Sequence, residues 1–189
     1  MKKIIYTLLI VIILIHMAPA QGLCRKDGNL YNLFRKKTET RVYIPPIENV
    51  SGSAKADAKC LTQKLKDTLN NRKSIKFKVV ETSEASDIII DCDLVTFFWT
   101  ENDPIDLIMG IYTVAYDVLT SESYAFQEVI FTVTDTEKNK VLWKEKLKID
   151  VTKKGMTEDE SIPLINKKTV KTFMRDCFSK RYSRPRQSL

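Results

Sequence analysis

Three stretches of apolar–polar alternation constrain this fold more than anything else in the chain. In SDIIIDCDLVTFFWTE, Ile88, Ile90, Cys92 and Leu94 fall on one side, and Asp91 and Asp93 on the other. SYAFQEVIFTVTDT alternates Phe126, Glu128, Ile130 and Thr132 against Gln127, Val129, Phe131 and Val133. KVLWKEKLKIDVT sets Val141, Trp143 and Glu145 against Leu142, Lys144 and Lys146. Side chains on a strand point to opposite faces in turn, so each stretch predicts a long strand with one face on a core. TEKNK joins the last two as a hairpin turn, and Asn139 tolerates a left-handed backbone there. Phe97, Phe98 and Trp99 are apolar on both faces, which predicts that this end of the strand is covered on both sides.

The remaining elements follow from the same periodicities. RVYIPPIENVSG opens with a short strand in which Val42 and Ile44 share a face, and Pro45-Pro46 ends regular pairing. Ser51 or Ser53 is placed to cap the next element. From Ala54 to about Asn71 the apolar residues Ala54, Ala58, Leu61, Leu65 and Leu69 recur at helical spacing, with Cys60 off the stripe. IKFKVVE is a half-exposed strand. GMTEDESIP precedes a last helix from roughly Ile162 to Tyr182, with Val170, Phe173, Met174 and Cys177 on one side. The order strand, helix, strand, strand, insertion, strand, strand, helix predicts an α+β two-layer sandwich. Its mixed or antiparallel sheet of about five strands would carry two helices on one face. The expected boundaries are a signal at 1–20, an irregular leader at 21–40, one domain at 41–180 and a basic disordered tail at 181–189.

The N-terminus reads as a signal for export. MKK is basic, residues 4–15 are an apolar run, and Ala18-Pro19-Ala20 offers cleavage between Ala20 and Gln21. As a helix that run rises about 18 Å, short of a roughly 30 Å hydrocarbon core. Lipidation of Cys24 is disfavoured because Leu23, directly before it, is not the small residue a lipoprotein signal wants. An oxidising compartment makes Cys24, Cys60, Cys92 and Cys177 candidates for disulfides, in any of three pairings. Net charge is +7, and +5 once Lys2 and Lys3 leave with the signal. Lys180, Arg181, Arg184 and Arg186 put part of it in the tail, which suits an anionic surface; nucleic acid is not an expected partner of an exported chain.

Little in the chain suggests catalysis. The only histidine, His16, sits inside the signal. Histidine-based nucleophile activation, acid–base chemistry and metal sites therefore have no residue to work with. No glycine-rich phosphate loop is present, and no cofactor is expected. Asp91 and Asp93 share a strand face and could bind a cation or act as a carboxylate pair. They read first as a solvated strand face.

The unusual feature is DPIDLIMGIYTVAYDVLT, residues 103–120. Asp106, Gly110, Thr113, Asp117 and Thr120 form one narrow polar stripe on a helix, and the rest of its surface is apolar. A surface helix on a monomer needs roughly a third of its circumference apolar. The insertion at 103–123 is thus either a helical element buried on the sheet's second face or an interface. Ile105, Ile108, Met109, Tyr112, Tyr116 and Leu119 are the candidate anchors.

The motifs IPPIENVSG, EASDIIIDCDLVTF and FTVTDTEKNKVLWKEK, in this order, resemble those of the lipopolysaccharide-assembly lipoproteins of the LptE-like group and of the curli-secretion lipoproteins. They cover most of residues 41–148. The resemblance implies a non-enzymatic accessory protein of the bacterial envelope, in the periplasm or peripheral to the outer membrane. It would bind an envelope partner or another copy of itself. The alternatives are a periplasmic carrier of lipid or lipopolysaccharide and, less favoured, a small hydrolase using acidic residues.

Overall fold

The computed structural model describes residues 30–101 and 122–179. The signal with Ala20 and Gln21, Cys24, the six candidate anchors of the insertion and the basic tail all lie outside them.

The described elements run α1 (Tyr31–Phe34), β1 (Thr40–Tyr43), β2 (Glu48–Asn49), α2 (Ala58–Asn70), β3 (Phe77–Val80), β4 (Ile88–Thr100), β5 (Glu122–Asp135), β6 (Lys140–Lys154) and α3 (Glu158–Phe178). They form an α+β architecture around one mixed six-stranded sheet. The order is β3-β1-β4-β5-β6, with β2 pairing β4 beyond the end of β1. β1 runs parallel to β3 and β4, and β4–β5 and β5–β6 are antiparallel. The β5–β6 turn is the one expected, with Asn139 at φ 46°. Among the described residues β6 is a long edge strand, and Lys140, Lys144, Lys146, Lys148, Lys153 and Lys154 line it. Lysines along an edge oppose strand addition by another chain.

The core lies between one sheet face and the helices. Leu61, Leu65 and Leu69 of α2 and Ile165, Val170, Phe173, Met174, Cys177 and Phe178 of α3 are buried against Ile88, Ile90, Leu94, Val129, Phe131 and Val133. Phe173 stacks on Phe131 at 4.2 Å between ring centroids and meets Trp143 and Phe178 at 5.5 and 5.7 Å.

Four details depart from the sequence reading. The leader is not wholly irregular: α1 forms, and Leu30 and Phe34 are buried in the core. The Leu30 N–H donates to the Cys177 carbonyl at 2.8 Å. α2 starts at Ala58, not Ala54, because Asp57 is its cap, accepting from the Cys60 N–H. Ser51 is otherwise engaged: its hydroxyl and N–H both donate to the Asn49 side chain. α3 starts at Glu158, so the acidic residues fill its first turn rather than preceding it. A reciprocal Thr157–Glu160 capping box closes that end.

The fourth departure is at the end of β4. A bulge falls between Leu94 and Thr96. One extra residue reverses which face each following side chain occupies. Phe97 and Trp99 thus turn to the core, and Phe98 turns to the opposite face, where it is 41% exposed. Among the described residues nothing covers that side, and the insertion expected to cover it lies outside them.

Candidate interaction surface

Both long helices occupy one face of the sheet, so the other face of β4, β5 and β6 is open among the described residues. Strand register fixes what it presents. Phe98 pairs with Phe126, and Thr100 with Tyr124. The Phe98 ring lies 5.7 Å from Tyr124 and 5.4 Å from Phe126. This aromatic group sits where β4 ends at Thr100 and β5 begins at Glu122. The two roots of the apolar insertion therefore flank it.

Further along, Asp93 pairs with Ile130 on one side and with Glu48 on the other. Glu48, Asp91 and Asp93 gather there. Burial, then Asp93 and Glu48, push the Asp91 carboxyl above the usual aspartate range. No acidic or thiol group among the described residues converges as a metal site. On β5, Glu128 accepts from Lys146 and Lys148, each at 3.2 Å, and this holds its carboxyl below the usual range.

The raised pKa of Asp91 gives a testable sign. The folded state holds a proton more tightly than the unfolded chain, so stability falls as pH rises from the ordinary aspartate range through the raised value. Above that window the cost is fully present. Asp91→Asn is expected to raise the urea midpoint at pH 7 and to leave it unchanged at a pH where the carboxyl is protonated. A lower midpoint at pH 7 would show that the carboxylate makes a stabilising contact instead. The same variant tests the acidic-hydrolase alternative, which needs the Asp91 carboxyl as its acid or its base.

At the other end of the sheet an open polar cleft of about 590 Å³ lies against Arg41, Glu84, Asp87 and Asp135. Its organising contact is an ion pair, with Arg41 Nη2 donating to Asp87 Oδ1 at 2.8 Å and the Arg41 N–H donating to Oδ2 at 2.7 Å. Those two bonds use the carboxylate in holding β1 to the start of β4.

Of the four candidate cysteines, Cys60, Cys92 and Cys177 are described, and all three are free thiols. Cys60 is half-buried. Cys92 and Cys177 are buried, and burial pushes both thiols well above their ordinary value. Buried neutral thiols of this kind are poor nucleophiles.

The sequence reading missed the exposure of Phe98. The signal was present in three consecutive aromatic residues, which cannot all face one core. The position of the bulge, which decides which one turns outward, was not legible.

No family model matches this chain, and no curated protein matches it. Solved structures do share its fold. Hypothetical protein CT253 of Chlamydia trachomatis is similar with a TM-score of 0.51 at 7% identity, over 72% of this chain and 94% of the other. A crystal structure of a homolog of neuraminyllactose-binding hemagglutinin from Helicobacter pylori is similar with a TM-score of 0.50 at 12% identity, over 78% of this chain and 86% of the other. At these identities the likeness is one of fold.

Proposed function

We propose that this chain is an exported, non-enzymatic protein of the bacterial envelope that acts by binding a partner or another copy of itself. The surface would combine the insertion at 104–120 with the aromatic end of the open sheet face. The observation that carries the reading is the Phe98–Tyr124–Phe126 group, uncovered among the described residues and set between the roots of the most apolar segment of the mature chain. Exposed aromatic clusters beside further apolar surface mark binding sites more often than they occur by chance. The resemblance to envelope-assembly lipoproteins, the signal-like N-terminus and the lack of histidine beyond residue 20 support the same reading.

The test is the solution mass of residues 21–189 without detergent, for the unmodified chain and for Tyr112→Asp/Tyr116→Asp. The proposal expects the unmodified chain to associate and the variant to be a folded monomer. A monomeric parent with an unfolded variant would make 104–120 core, and the proposal would fail. Phe98→Asp is expected to weaken association as well, with little loss of thermal stability because the ring is already half in water.

A further inference from the structure

The two long helices run parallel, with their N-termini together and their C-termini together. At the N-terminal end Lys55 pairs with Glu158, and the Asn166 Nδ2 donates to the Asp57 carbonyl at 3.3 Å. At the C-terminal end Arg72 Nη2 donates to the Phe178 carbonyl at 2.7 Å. Between these points the helices leave an open groove of about 410 Å³, on the side of the molecule away from the open sheet face. Its floor is Val170 and Met174, and its walls are Lys64, Arg72, Lys167, Lys171 and Arg175.

No carboxylate lines this groove. Among the described residues Lys64, Lys167 and Lys171 form no ion pair. Arg72 is half-buried, and its bonds go to the Ser74 hydroxyl and the Phe178 carbonyl, both neutral. Burial accordingly lowers the guanidinium's pKa. Arg175 is the exception, held by Asp176 at 2.8 Å. Cations gathered beside an apolar floor with no carboxylate among them set up a positive potential that attracts an anion, and an anion would also offset the burial of Arg72. The volume is within the range of small-ligand clefts, roughly 300–1,000 Å³.

We propose that this groove docks the phosphate-bearing headgroups of an anionic lipid surface. Two observations favour lipid over an acidic protein segment. Leu164, three residues before Lys167 and so on the same stripe of α3, is 37% exposed. It offers an apolar side chain beside the cations, as membrane-surface helices do. The chain also continues from Ser179, at the groove's rim, into the basic KRYSRPR stretch. The site lies on the face opposite the proposed partner surface, so it stands or falls separately from that reading.

The test is cosedimentation of residues 21–189 with vesicles of phosphatidylcholine, alone and with a quarter of the lipid replaced by phosphatidylglycerol. Lys167→Gln/Lys171→Gln is compared with Lys76→Gln/Lys78→Gln, which removes equal charge from the exposed side of the β3 edge. Both pairs are exposed and form no ion pair among the described residues, and equal thermal midpoints confirm that both variants fold. Each lysine near an anionic surface is worth on the order of fivefold in partitioning. The expected result is binding only with phosphatidylglycerol, weakened about tenfold or more in the α3 variant and little changed in the β3 variant. Equal weakening in both would mean nonspecific charge attraction and would overturn the proposal. So would an α3 variant that binds like the parent, which would assign the attraction to the tail. Saturation of the groove by inorganic phosphate with no vesicle binding would overturn the lipid assignment in favour of a free anion.

Discussion

Phe173→Ala is expected to cost about 3–5 kcal/mol of stability, the range for deleting a fully buried aromatic ring. The side chain is completely buried and contacts rings from three other positions: Phe131 and Trp143 of the sheet and Phe178 of its own helix. Aromatic pairs add about 0.5–1.5 kcal/mol beyond burial, so the upper part of the range is expected. A single domain of this size is stable by only about 5–15 kcal/mol. The variant should therefore show a much lower urea midpoint, with α3 loosened from the sheet. Loss of both proposed binding activities in it would carry no information about either surface. That is why structural controls rest on exposed positions such as Phe98 and Lys167. A loss below about 1 kcal/mol would mean that the sheet and α3 close around the gap, and that the aromatic cluster is not the keystone of the packing.

The elements legible in the sequence were those in which one periodicity runs uninterrupted. The alternation from Ile88 to Leu94, the stripe Leu61–Leu65–Leu69 and the side Val170–Phe173–Met174–Cys177 all face the core as their spacing demands. What escaped were breaks in period and choices among equivalent partners. The bulge after Leu94 has no sequence mark of its own, since Val95 fits either register, and yet it decides that Phe98 faces outward. Asp57 displaced the serines as the helix cap because Asn49 engages the loop before it. The Asn49 amide donates to the carbonyls of Ser53 and Ala56, and its oxygen accepts from Ser51. The basic groove was invisible for another reason: Lys64 and Arg72 lie on one helix and Lys167 and Lys171 on another. Only the parallel packing of the two helices brings them together.

Starting the chain at Arg41, the boundary that periodicity suggested, is expected to abolish cooperative folding, whereas starting it at Leu30 is not. The residues between are short and mostly polar, so nothing in their pattern announces a core element. Their effect comes from two side chains. Phe34 is 1% exposed and meets Phe77 and Phe178 at centroid distances of 6.4 and 6.1 Å. Leu30 is 5% exposed and tied through its backbone to the end of α3. Phe34→Ala alone is expected to cost about 3–5 kcal/mol and loss of Leu30 a further 2–5 kcal/mol. Together these approach the whole stability of such a domain. The truncation also removes Thr40, whose N–H donates to the Lys76 carbonyl at 2.9 Å, from the edge of the β1–β3 pair. Circular dichroism through a urea titration separates the two starts. A steep transition is expected for the chain from Leu30, and a shallow one with exposed aromatic surface for the chain from Arg41. Equal midpoints would show that α1 is an ornament on a domain that closes without it. A lowered midpoint in the Phe34→Ala chain would then have no structural source, so the two results must agree. α1 also reaches the C-terminal end of α3, beside which the basic groove opens. If α1 is needed to hold that end in place, Phe34→Ala should weaken vesicle binding in proportion to the unfolded fraction and no further.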